Sequence, residues 1–117
     1  MREEVLTTLV NDFMRKSYVD IAMLVTRVGI PMAGKPPSNV PVEVFTTMAG
    51  VTYGGAEEMV GPPKERLKDV RLNLDGNKKI ILKGISNLYI LVIMVKEYNE
   101  EVEKDITNFS ETVSKSI

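Results

Sequence analysis

The acidic pair Glu57-Glu58 is the most obvious chemical feature of the chain, since two close carboxylates can divide general acid and general base work. Neighbouring residues of a helix project about 100° apart, so this pair cannot close on one substrate and reads as a solvated helix end. Asp75, followed by Gly76, reads as turn chemistry. The chain has no cysteine and no histidine. That excludes disulfides, thiol catalysis, Cys/His metal sites and every triad built on an imidazole base. There is no Gly-x-x-x-x-Gly-Lys-Ser/Thr run, so a nucleotide would be held by a partner. No catalytic residue, metal ligand or cofactor is expected.

What remains is binding chemistry. Lys64, Arg66, Lys68, Arg71, Lys78, Lys79 and Lys83 concentrate positive charge in one stretch. Two readings stand open: they solubilise an edge hairpin, or they steer an acidic partner surface, with Arg66, Lys68 and Lys79 as the contact candidates. Tyr53 and Tyr98 are candidate partner anchors, because tyrosine joins apolar area to a hydroxyl. Tyr89 reads as core-facing. Over the whole chain, 15 basic against 16 acidic residues give a net charge of −1. A nucleic-acid binder carries a basic excess, which is missing here.

The 117 residues, 44% hydrophobic and 26% charged, suit a single soluble domain over 1–117. The longest apolar run, Leu88 to Val95, falls short of the ~18 residues a membrane helix needs. Met1-Arg2-Glu3-Glu4 lacks the apolar start of a signal peptide, so a cytoplasmic protein without membrane insertion is expected.

Periodicity assigns the elements that must position these residues. Val5, Leu6, Leu9, Val10, Phe13 and Met14 make one stripe of a helix over 2–16. Residues 19–26 are apolar on both alternating sets and predict a strand covered on both faces. Arg27-Val28-Gly29 turns the chain, and a short strand over 30–33 carries Pro31, which suits an edge. A second helix runs over 41–60 and stops at Gly61-Pro62-Pro63. Residues 67–74 alternate with one polar face, Asp75-Gly76-Asn77 signals a hairpin, and 78–85 returns. Residues 88–95 are again apolar on both faces. Val102, Ile106, Phe109, Val113 and Ile117 form the stripe of a third helix over 97–117.

The strands apolar on both sides, first and fifth in chain order, belong in the middle of the sheet. Joining the two hairpins through them predicts a three-layer α/β/α fold of the α+β kind. Its mostly antiparallel sheet has five strands in the order 2-1-5-4-3, with helices 1 and 3 on one face and helix 2 on the other. Strand 3 is then an edge. Its charged residues either protect a solvated margin, or the margin pairs with another chain.

The second helix favours pairing. Val44, Met48, Val51 and Gly55 lie on one flank, and Val42, Phe45, Ala49, Thr52, Ala56, Met59 and Val60 continue the arc. The arc spans about half the helix, more than one sheet requires, so part of it wants a second partner. Gly50, Gly54 and Gly55 each cost about 1 kcal/mol relative to alanine in a helix. Close approach of another element would compensate, or Gly50 and Gly54 clear room for a loop.

In the order and spacing of three blocks the chain resembles the roadblock family, which includes the roadblock-type dynein light chains. The blocks are Val-Asp-Ile-Ala-Met-Leu-Val-Thr-Arg-Val-Gly-Ile-Pro-Met-Ala (19–33), Gly-Gly-Ala-Glu-Glu-Met-Val (54–60), and the stretch from Val70 through Asp75-Gly76-Asn77 to Val95. Val28 departs from the acidic or polar residue common there in the family. The resemblance implies a dimer in which third strands pair edge to edge and second helices pack together. Val44, Met48, Val51, Gly55, Val70, Arg71, Leu72 and Asn73 would form that interface, in a homodimer or a heterodimer with a paralogue. It further implies a non-catalytic scaffold or regulator of a small Ras-like GTPase. If such a protein activated its GTPase with an arginine finger, Arg27 and Arg66 would be the loop-end candidates. The alternatives are a small-molecule-sensing module of the same shape, with an apolar pocket between helix and sheet, or a structural subunit.

Overall fold

The computed structural model describes residues 2–117. The elements are α1 (Arg2–Met14), β1 (Val19–Thr26), β2 (Pro31–Gly34), α2 (Val42–Val60), β3 (Asp69–Asn73), β4 (Lys79–Ile85), β5 (Tyr89–Val95) and α3 (Glu100–Lys115), with short 3-10 turns at Lys64–Arg66 and Asp75–Asn77. The five strands form one sheet in the order β2-β1-β5-β4-β3, every neighbouring pair antiparallel. This is the expected order, and its cause is the one read from the strands. Met23, Leu24, Ile90, Leu91 and Ile93, all on β1 or β5, are fully buried because helices cover both sides of the sheet's centre.

Two cores lie on the two faces. Leu6, Val10 and Phe13 of α1 and Val102, Ile106, Phe109 and Val113 of α3 pack with Ala22, Leu24, Ile81, Leu91 and Ile93. Phe13 and Phe109 stack with ring centres 4.0 Å apart, which joins the two helices over the sheet. On the opposite face Ala49 and Tyr53 of α2 pack with Ile21, Met23, Val25, Leu82, Ile90 and Val92.

One alternation departs from the simple reading. Val19 belongs to the α1/α3 core, whereas Ile21, Met23 and Val25 belong to the α2 core. The cause is a register shift between Val19 and Ile21: Val19 pairs with Val95 and Ile21 with Met94, so Asp20 is an extra residue. A bulge of this kind moves everything on one side of it to the other face. Exposed Asp20 reaches Lys96 across the bulge at 3.8 Å.

The helix ends have local causes. Asn99 caps α3, its side chain accepting from the Val102 N–H at 2.9 Å, with three acids in the first turn. That cap starts α3 later than the stripe alone suggested. Gly61 closes α2 at φ 73°, its N–H donating to the Glu57 carbonyl. Among the described residues, no helix is long and apolar enough to cross a membrane.

Candidate interaction surface

The inward stripe of α2 is Thr46, Ala49, Tyr53 and Glu57, all buried, with Val42 and Phe45 beside it. Thr46 is tolerated there because its hydroxyl donates back to the Val42 carbonyl at 3.0 Å. The opposite flank holds Val44, Met48 and Val51, about half exposed, and the more exposed Met59. So the wide apolar arc divides as expected, one part on the sheet and one part outside.

That outer flank continues onto the sheet margin. Among the described residues β3 pairs only with β4 and is an edge strand. Val70 and Leu72 lie opposite Leu82 and Ile80, and Val70, Ile80 and Leu82 all pack into the α2 core. Leu72 is 40% exposed, and Leu74 beyond the strand end is exposed as well. Between helix and edge runs an apolar cleft of about 170 Å³, walled by Val44, Met48, Thr52 and Leu72 and floored by Ile80, Leu82 and Val92. Gly55 lies on the same outer flank, and among the described residues nothing beyond its own stretch of helix comes within 4 Å of where a side chain would begin. Gly54 is equally open. Gly50 is different: a Cβ there would lie 2.7 Å from the Arg27 carbonyl oxygen, so this glycine clears room for the β1–β2 turn.

Asp69, Arg71 and Asn73 occupy the other face of β3, towards α3. Arg71 is half-buried and gripped from three sides. Its Nη1 donates to Glu103 Oε1 at 2.5 Å and its Nη2 to Glu103 Oε2 at 3.1 Å, a two-pronged contact. Nε donates to Asp69 Oδ1 at 3.1 Å, and Nη1 also donates to the Tyr98 hydroxyl at 3.0 Å. That hydroxyl donates in turn to Glu103. The Arg71 guanidinium holds the Glu103 carboxyl down at about 2, against its burial, and Glu103 and Asp69 push Arg71 further up. Lys83 adds a contact to Asp69 at 3.7 Å. Residues 32 positions apart meet here, and nothing local in the sequence signals it.

The basic stretch is therefore partly neutralised from within. Arg71 and Lys83 are paired, and Lys64 reaches Glu58 at 3.9 Å. Lys79 donates to Asn73 and lies 5.0 Å from the Tyr98 ring centre. Arg66 and Lys68 are exposed and form no ion pair among the described residues. Tyr98 is half-buried with its hydroxyl engaged inside the protein.

Three expectations are corrected at the C-terminal end of α2. Tyr53 is 3% exposed and is a core residue, not an available anchor. Its ring lies over β4, where Gly84 has no side chain to block it: a Cβ would sit 2.5 Å from the phenol oxygen. Burial pushes the phenol pKa up, with the Arg27 charge opposing. Glu57 is also buried, at 7% exposure, so only Glu58 of the acidic pair is a solvated helix end. Glu57 Oε1 accepts from Arg27 Nη1 at 2.6 Å. Arg27 is thus no free finger: Nη2 also reaches the Ser86 carbonyl at 3.4 Å, and its guanidinium carbon lies 4.9 Å from the Tyr53 ring centre. Beside this pair opens a polar cleft of about 290 Å³, bounded by Lys64, Lys68, Ser86 and Asn87.

No protein-family model and no curated protein matches the chain. Solved structures do. The gliding protein MglB of Thermus thermophilus aligns at TM-score 0.79 and 14% identity, over 98% of this chain and 90% of that one. Myxococcus xanthus MglB aligns at TM-score 0.78 and 11% identity, over 97% and 87%. A Roadblock/LC7 domain from Streptomyces avermitilis aligns at TM-score 0.69 and 16% identity, over 96% and 91%. A further similar structure is described as MglB with a tetrameric arrangement, at TM-score 0.77 and 14% identity over 98% and 89%. At such identities the likeness speaks for architecture, and the architecture of this chain is the roadblock fold.

Proposed function

We propose that the chain pairs with a second copy through α2 and the β3 edge, and that the pair is a non-catalytic platform for a small Ras-like GTPase. The observation that carries the pairing is continuity. Val44, Met48 and Val51 of α2 run through the apolar cleft into Leu72 and Leu74, beside an edge strand bonded on one side only. A partner strand would satisfy the backbone groups while a partner helix covers the aliphatics. Val70, Leu72 and Asn73 contribute to the seam with Arg71 as backbone, and Gly55 lets the helices approach.

The GTPase part of the reading rests on the roadblock-like order of blocks 19–33, 54–60 and 70–95, together with the fold. Exposed Arg66 and Lys68, with Lys79 near them in sequence, are the groups that would steer an acidic partner surface. The chain would act by stabilising one conformation of that partner. Purified protein immobilised and exposed to extract of its source cell, with GTP and GDP analogues in turn, should retain a small GTPase in a nucleotide-dependent manner. Retention of no GTPase under either nucleotide overturns the reading.

The apolar cleft between α2 and the sheet, at Met48, Leu72 and Val92, favours a second reading, a small-molecule-sensing module. It has the apolar lining between helix and sheet that such a module needs, which the charged cleft at Arg27 and Glu57 lacks. Native mass spectrometry of freshly isolated protein decides: a co-purifying small molecule on a monomer supports it, and a bare chain does not.

A further inference from the structure

We propose that Glu103 of α3, which stands away from the α2–β3 surface, makes the β3 edge able to pair with its own copy, by neutralising Arg71 and holding it on the α3 face. This rests on the dimer reading above. Arg71 is the middle residue of β3. When one strand pairs antiparallel with itself about a two-fold axis, its central residues face one another. With the axis at Arg71, the two arginines are directly opposite, roughly 5 Å apart at Cβ. With the axis at Val70 or Leu72 they are diagonal neighbours on one face, about 7–8 Å apart. These registers bring two guanidinium groups within reach of each other; they oppose pairing most with the axis at Arg71, and least with the axis at Val70, where each Arg71 faces Asp69 of the other copy.

The fold answers that repulsion inside each protomer. Glu103 takes both prongs of the guanidinium and Asp69 takes its Nε, while Tyr98 bonds to both Arg71 and Glu103. Lys83 shares Asp69, so these two cations and two carboxylates balance one another, while Lys79 stands beside them over the Tyr98 ring. Both carboxylates and the phenol approach from the α3 face or from β3 itself, which leaves the outer backbone margin of the strand uncovered. Glu103 is a positioning residue: it touches no partner and acts through Arg71. Without it the cluster loses one of its two negative charges, and two copies present uncompensated like charges at the seam.

Sedimentation equilibrium of the wild type, Glu103→Gln and the double variant Arg71→Met/Glu103→Gln tests this, at about 0.05 M and about 0.5 M salt. Glu103→Gln should weaken self-association about tenfold at low salt. The difference should shrink to about threefold or less at high salt, where the two charges are screened. The double variant removes the charge together with its counter-charge and leaves Asp69 to Lys83; it should associate within about threefold of wild type at low salt. A role confined to stiffening the strand predicts neither the salt response nor the rescue. A Glu103→Gln chain that dimerises like wild type, or a double variant as weak as the single, overturns the inference and leaves the dimer reading intact. A monomeric wild type removes both.

Discussion

At the scale of single residues, the charged groups of this protein divide into those it uses on itself and those left outward. Glu57 is buried against Arg27, so removing it leaves the guanidinium over the Tyr53 ring without its counter-charge and with only the long contact to the Ser86 carbonyl. Glu57→Ala should lower unfolding stability by about 2–4 kcal/mol, less than a fully buried pair because Arg27 keeps some solvent contact. Glu58→Ala, one position on and exposed, should change it by less than about 0.5 kcal/mol. Urea denaturation of the two variants separates these values. Glu103 gives a pH dependence of known sign. Its pKa falls from the ordinary 4.5 to about 2 when Arg71 binds its carboxylate. A depressed carboxyl stabilises the folded state above its unfolded pKa and loses that contribution as pH falls through the folded value. Glu103→Gln should therefore cost about 1–2 kcal/mol near neutral pH, reduced by partial exposure, and the cost should fade between about pH 4.5 and pH 2. Thermal melts of both chains across that window measure it; a difference independent of pH would contradict the assignment.

At the scale of elements, α2 gathers the largest share of compromise. Two of its glycines make opposite forecasts. Gly50→Ala drives a methyl against the Arg27 carbonyl at 2.7 Å, so it should destabilise by about 1–3 kcal/mol. Gly54→Ala meets nothing within 4 Å beyond its own stretch of helix among the described residues, and should stabilise by about 0.5–1 kcal/mol through helix propensity alone. Equilibrium unfolding of the pair at low concentration checks both signs. The same helix shows what could be read in advance. Its wide apolar arc, the strand order and the division of helices between faces follow from apolar periodicity, which is a local property. The bulge at Asp20 was not legible, because one added residue in an apolar strand leaves no mark in composition. Nor were the pairings of Arg27 with Glu57 and Arg71 with Glu103, which depend on how distant elements meet. Tyr53 and Glu57 were misplaced for a related reason. The inward stripe of α2 runs through a tyrosine and a glutamate because Gly84 and Arg27 wait opposite them, and a helical wheel contains neither.

At the scale of the whole molecule, the described residues close the sheet at its centre, leave it open at β3, and cover α2 on one flank. The proposed dimer joins those two facts. A carboxylate set into the apolar flank must be desolvated when the copies meet, so Val51→Glu or Val44→Asp should give folded chains that no longer pair. The mass in solution is the most direct test of the central claim. Sedimentation equilibrium at high micromolar concentration should return twice the chain mass of 13.1 kDa for the wild type and 13.1 kDa for folded Val51→Glu. A wild-type chain that sediments as a single 13.1 kDa species at that concentration would contradict the account.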